Sequence, residues 1–497
     1  MVLLLIPAIL SLPFAHAFSN GQSATTVIGQ PNLTSNGRGS NQTSLNTPMA
    51  IAFDQSGNLW VADSANGRVL EYKAPLATGE AASIALGQSN TSAISFGFNC
   101  NGSSVITASC LATPTGLAFD PSGNLWVSDS TNNRVVEFKP PFVNNENASV
   151  AIGQPDLTTG ANPDATPTAS DLSQPAGIGF DTSGNLWVAD TLYNRVLEFK
   201  APLTTGEAAS VVLGQDNFTS GISANYPSTC PYHTECPSAA SLTAPDGVTV
   251  DSSGNVWTSE RNTGRILEFV GPFTNGESAS LVLGQPGFNT FQSGGGFYCS
   301  IVTPAQFCAS PDSVTFDKSG TMWVADTGYS RVVSFTPPFT THENETNVIG
   351  FANFTALLHS GILNATAYNF STPESIAFDS SGNMWVSDSG QNRVLEFPAS
   401  SIGTSTTQSV AMTSSQSSTT SSSQATSSVL LQSSSTTTTS SLVTASTAAS
   451  TSSTSSTSSK SGGGVPVFPY QFSIAAIFTI LLAASYLLIR RRTLSRA

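Results

Sequence analysis

The sequence predicts an all-β fold, a six-bladed β-propeller, and three observations carry that expectation. One phrase recurs six times, most clearly as Phe53-Asp54-Gln-Ser-Gly-Asn-Leu-Trp60-Val-Ala-Asp63-Ser-Ala-Asn-Gly-Arg68-Val-Leu-Glu-Tyr72. The six tryptophans, Trp60, Trp126, Trp187, Trp257, Trp323 and Trp385, fall one per copy, at separations of 66, 61, 70, 66 and 62 residues. Each copy consists of short apolar-alternating runs broken by Ser-Gly-Asn and Asn-Gly turns, which is the pattern of antiparallel strands in hairpins. Four such strands per copy, here a to d from the channel outward, repeated radially, make a propeller.

A second phrase shows how the ring closes. A short apolar strand ending in Gly-Gln follows the first five copies, at Gly87-Gln88, Gly153-Gln154, Gly214-Gln215, Gly284-Gln285 and, as a variant, Gly350-Phe351. It also precedes copy one as Val27-Ile28-Gly29-Gln30, whereas copy six runs from Leu395-Glu396-Phe397 straight into Pro398. The N-terminus is therefore expected to lend blade 6 its outermost strand, closing the ring with no open sheet edge.

The flanks predict export and anchoring. Residues 1–17 hold an apolar stretch and end in Ala15-His16-Ala17, a signal-peptidase pattern. The propeller is expected over 18–398 and a Ser/Thr-rich stalk over 399–464, too poor in apolar residues to bury a core. Such a tract is either an O-glycosylated rod or a flexible tether. A transmembrane helix is expected over 465–489, since Pro469 to Ile489 carries no charge and spans roughly 31 Å as a helix. Arg490-Arg491-Arg492 opens a basic tail over 490–497 and favours the cytoplasmic side, leaving the propeller outside the cell membrane.

Composition fits that placement. The six cysteines fall as sequence neighbours, Cys100 with Cys110, Cys230 with Cys236 and Cys299 with Cys308. Three local disulfides are the simplest arrangement in an oxidising compartment. Residues 18–398 hold all 31 acidic residues against 12 Lys or Arg, a balance of 12 minus 31, or −19. That field excludes nucleic acid as a ligand. Of ten Asn-x-Ser/Thr sequons, Asn147 and Asn344 fall in links between strands c and d. Asn32, Asn41, Asn90, Asn101, Asn217, Asn353, Asn364 and Asn369 are the candidate glycosylation sites.

Variation concentrates on one face. The connections from strand d to the next strand a run to twenty residues or more, with little mutual resemblance, and hold every cysteine. Long loops in a compact domain are usually functional or disordered. The residue after the Pro that opens each strand a should sit at the channel mouth on this face; it is Met49, Thr115, Ala176, Asp246, Asp312 and Glu374 in turn. Asp246, Asp312 and Glu374 could hold a hard cation such as Ca2+, or simply face solvent. Tyr193 and Tyr329, in b to c turns, are candidate ligand-stacking aromatics.

The phrases Pro-x-Gly-Ile/Leu-Ala-Phe-Asp, Gly-Asn-Leu-Trp-Val-Ala-Asp and Asn-Arg-Val-Leu-Glu-Phe closely resemble the NHL repeat, best at Pro114 to Phe138, Pro175 to Phe199 and Pro373 to Phe397. The resemblance implies a propeller and leaves function open, since NHL propellers include extracellular ligand-binding domains, RNA-binding modules, amidating lyases and lactonase-like relatives. Its Asp at the end of strand b and Arg five positions on recur as Asp63, Asp129, Asp190, Asp326 and Asp388, with Glu260 substituting in copy four. Groups present in every blade are expected to be structural ion pairs. A zinc-dependent lyase would need converging histidines, yet the four present are His16 in the leader and His233, His342 and His359 in loops. The expected function is therefore non-enzymatic binding of an extracellular protein or glycan, with no catalytic residue named. A metal-assisted hydrolase or lyase at the channel mouth and a structural envelope component are the alternatives.

Overall fold

The computed structural model describes residues 16–88, 105–160, 166–220, 237–290, 303–307, 310–354 and 364–401. Most of the expected leader, all of the membrane span and basic tail, and the stalk beyond residue 401 lie outside them. Among the described residues no helix is long and apolar enough to cross a membrane.

Six four-stranded antiparallel sheets form the ring. Their inner strands a are Pro48–Phe53, Pro114–Phe119, Pro175–Phe180, Pro245–Val250, Pro311–Phe316 and Pro373–Phe378. Strands b run from Leu59–Asp63 in blade 1 to Met384–Asp388 in blade 6, and strands c from Arg68–Tyr72 to Arg393–Phe397. The fourth strand of blade 6 is Thr26–Ile28, which pairs Thr26 with Glu396, Val27 with Leu395 and Ile28 with Val394. The N-terminus thus closes the ring as its Gly-Gln phrase predicts.

Local chemistry explains the repeat. In the a to b turn, Asp54 Oδ1 accepts from the Ser56 and Asn58 amides at 2.8 and 2.9 Å, and Oδ2 accepts from Trp60 Nε1 at 3.2 Å. Gly57 supplies the left-handed φ of 81° that this turn requires. One aspartate therefore fixes the hairpin and holds the indole, whose ring packs edge-on against Phe119 of the next blade at 6.2 Å. Five of the six blades bond the indole this way. In blade 3 the Trp187 N–H is buried without a partner, and nothing in the structure explains the exception.

The Asp and Arg of the motif are fully buried ion pairs, at 2.7 Å for Arg68–Asp63 and Arg195–Asp190, and 2.9 Å for Arg134–Asp129. In blade 4 Arg265 pairs with Glu260. The rest of each guanidinium grips the inter-blade insertions. Arg195 donates to the carbonyls of Thr168 and Asp171, before its blade, and to that of Phe218, after it. Arg134 does the same with Thr107, Cys110 and Leu157, and Arg393 with Thr366, Asn369 and Leu33.

Two expectations need correction. The insertions are not dissimilar throughout: both limbs repeat. Each return limb buries one large apolar side chain, Leu45, Leu111, Leu172, Leu242, Phe307 or Phe370, at 1% exposure or less. That side chain covers the glycine of the Gly-Gln phrase, where a Cβ would lie 2.0–3.0 Å from it. Only the central stretches differ in sequence, and most of these fall outside the described residues. Nor does ring closure alone remove the sheet edges. The outer strand of blade 5 is capped by the N-terminal segment, and the others by the c to d link of the next blade, as where Ala85 N donates to Asn144 Oδ1 at 2.8 Å and Asn145 N donates back to Ala85 O at 3.1 Å.

Breaking one arginine clamp strands a buried carboxylate, which costs about 3–5 kcal/mol. Arg195→Ala is expected to lower stability by that amount, read as a fall in the urea midpoint.

Candidate functional site

At the channel mouth every inner strand slips register just after its opening proline, between Pro245 and Val248 in blade 4, Pro311 and Ser313 in blade 5 and Pro373 and Ser375 in blade 6. The residue inside each bulge lines the central cavity of about 440 Å³. Bulges re-aim a side chain in this way. Met49, Thr115 and Ala176 therefore form one side of the mouth, and Asp246, Asp312 and Glu374 the other.

The three carboxylates do come together, but around a cation the sequence reading missed. Arg261 Nη2 bonds Asp246 Oδ2, and its Nε donates to Asp312 Oδ1 at 3.1 Å. Glu374 Oε1 accepts from the Ser389 hydroxyl at 2.7 Å. The signal was a second column, the residue after the acid that ends strand b. It is Ser64, Ser130, Thr191, Arg261, Thr327 and Ser389, so blade 4 alone places a charge there.

That arrangement does not suit a hard dication. Asp246 and Asp312 spend oxygens on a fixed guanidinium, and Glu374 spends one on a hydroxyl. Among the described residues no group of three or more His, Cys, Asp or Glu is placed to hold a metal ion. The three carboxylates expected as a Ca2+ site are found in an ion-paired cluster around Arg261.

Burial governs its protonation. It pushes the Asp246 carboxyl up to about 7 against the opposing pull of Arg261, with Asp312 adding to the rise. Asp312 is likewise pushed to about 7 by burial, against Arg261 and reinforced by Glu374. Burial also raises Glu374, although Arg261 and Ser389 oppose it. All three carboxyls therefore titrate above the ordinary carboxylate range.

The other candidates are placed as follows. Tyr193 and Tyr329 are 4% and 5% exposed and lie under Arg195 and Arg331, with the guanidinium carbon 5.0 and 4.9 Å from the ring centroid. They are packing aromatics, which corrects their reading as exposed stacking groups. Asn369 is buried, and its Nδ2 donates to the Asn364 carbonyl at 3.0 Å, so it is withdrawn as a glycosylation site. Asn32, Asn41, Asn217, Asn353 and Asn364 are exposed, as are Asn147 and Asn344. At Asn32 the Asn-x-Thr triplet forms an Asx turn, Oδ1 accepting from Thr34 N at 3.0 Å and Thr34 Oγ1 at 2.8 Å. Asp156 makes the same turn with Thr158 in blade 2, so backbone geometry alone accounts for the triplet there. Cys110 is disulfide-bonded. Cys100, Cys230, Cys236, Cys299 and Cys308, with Asn90 and Asn101, lie outside the described residues.

Blade 5 carries one further buried acid. Glu345 stands where the other links have Ala82, Ala148, Ala209 and Ala279, and its Oε1 accepts from Arg331 Nη2 at 2.7 Å. Burial pushes its carboxyl up to about 9, against Arg331 and with Asp326 adding to the rise.

With this geometry established, the chain is a six-bladed all-β propeller that includes a region similar to a known family. A family model described as SMP-30/Gluconolactonase/LRE-like region matches residues 117–272. No curated protein matches. Among solved structures, a streptogramin B lyase aligns at 12% identity over 71% of this chain and 79% of its own, with a TM-score of 0.37. A catalytically inactive virginiamycin B lyase from Staphylococcus aureus with quinupristin aligns at 10% identity over 77% and 97%, with a TM-score of 0.38. An auxiliary nutrient binding protein from Bacteroides ovatus ATCC 8483 aligns at 10% identity over 77% and 78%, with a TM-score of 0.45.

Because Asp246 and Asp312 bind protons more tightly folded than unfolded, where a carboxyl titrates near ~3.9, their contribution to stability falls as pH rises from about 4 to 7. Asp312→Asn is expected to flatten that decline by on the order of 2 kcal/mol between pH 5 and 8. Urea midpoints at the two pH values check it. Glu345→Gln should likewise remove a loss of stability that the native chain undergoes as pH rises from about 5 to 9.

Proposed function

We propose that this chain is an NHL-type propeller that acts as a non-enzymatic binding module, its insertion face engaging an extracellular protein or glycan. In the same proposal a leader over 1–17 directs export. A Ser/Thr stalk then links the propeller to a single membrane helix with a cytoplasmic basic tail. The observation that carries the reading is Arg261. It occupies the carboxylates that catalysis through a metal would need. Meanwhile the buried arginines draw neighbouring insertions together around the rim. The ends of the propeller also support it. Just after the leader, Gln22 donates from Nε2 to the Pro398 carbonyl at 2.7 Å, so both ends of the propeller lie together beyond strand c of blade 6, where the c to d links lie, and the insertion face carries neither.

The match over 117–272 favours one alternative, a lactonase-like hydrolase or lyase. The two readings separate on Arg261. Calorimetric titration of the full chain with Ca2+ is expected to show no saturable heat at micromolar concentration. Arg261→Ala, which leaves three carboxylates without a counter-charge, should acquire a Ca2+ site. Saturable Ca2+ binding by the native chain, abolished in Asp246→Asn/Asp312→Asn, would decide for the hydrolase.

A further inference from the structure

The N-terminal segment supplies more than a strand. Phe18-Ser-Asn-Gly-Gln-Ser-Ala-Thr follows the c to d link of blade 4, Phe273-Thr-Asn-Gly-Glu-Ser-Ala-Ser, residue for residue. The contacts follow as well. The Phe18 ring meets Trp323 edge-on at 5.1 Å, as Phe273 meets Trp187 at 4.8 Å. Asn20 Oδ1 accepts from Val348 N at 2.9 Å, as Asn275 does from Val212 N at 3.0 Å. Gly21 N donates to Val348 O and Ala24 N to Ala367 O, at 3.2 and 2.7 Å. Gln30 Nε2 ends the segment on the Asn392 carbonyl at 2.8 Å.

Blades 1 to 5 each draw all four strands from one continuous stretch of chain, whereas blade 6 holds this segment only by non-covalent contacts. Other parts of the ring supply its groove. The edge of Arg393–Phe397 offers the strand pairing, the Val348 backbone offers the turn contacts, and Trp323 offers the apolar seat. This is strand addition, in which main-chain bonds give affinity and side-chain seats give specificity.

We propose that Phe18–Gln30 is a separable clasp, a peptide ligand the chain carries for its own sixth blade, able to leave and re-enter while blades 1 to 5 stay folded. Its withdrawal would expose the outer edge of Arg393–Phe397, the third strand of blade 6. The inference stands apart from the binding reading above.

The test uses the full chain with a site-specific protease sequence inserted beside Arg38, in an exposed stretch. After cleavage, native mass spectrometry should find the N-terminal fragment still bound. Moderate urea should then release it while far-ultraviolet dichroism retains most of its strand signal. A labelled peptide of residues 18–30 should rebind saturably, and one carrying Phe18→Ala and Val27→Asp should bind at least tenfold more weakly. Release of the fragment in the same transition that unfolds the whole chain would overturn the proposal, as would equal binding of the two peptides.

Discussion

The structure depends on a buried carboxylate–guanidinium pair repeated once per blade. An ion pair with both side chains at zero exposure is a liability unless every remaining donor and acceptor is met. In Arg195 the demand is met by Asp190 and by three insertion carbonyls. The cost of burying the charge is thereby turned into a requirement that the insertions lie in one place. Loops that sequence alone would leave free become part of the folded ring, each held where one blade meets the next.

The same logic applies at the channel mouth. A metal or a reacting substrate needs ligand atoms that the protein has not already committed. Here Arg261 reaches from blade 4 to Asp312 of blade 5 while holding Asp246 of its own blade, and Ser389 engages Glu374 within blade 6. The cluster therefore acts first as a staple, and its carboxyls are harder to ionise than free ones because burial disfavours their charge.

Much of the fold was legible because its signals are local and repeated. The Trp column, the Asp-x-Ser-Gly-Asn turn and the displaced Gly-Gln phrase each state their own geometry, and ring closure followed from counting them. The site was legible only in part. Reading one column found Asp246, Asp312 and Glu374, but Arg261 sits in another column, and only their convergence in space joins the two. Tyr193 and Tyr329 misled because a turn position says nothing of the arginine two residues on that covers the ring. Asn369 misled for a similar reason: the triplet is visible in sequence, whereas the carbonyl of Asn364 that occupies its amide is a matter of folding.

Hydrogen exchange on the intact chain tests the central claim, that the arginine clamps make the insertion limbs part of the folded ring. The limbs over 39–46, 166–173 and 238–243 are predicted to exchange as slowly as the ends of strands b and c beside them. Exchange at the rate of free loops, with the strands still protected, would contradict it.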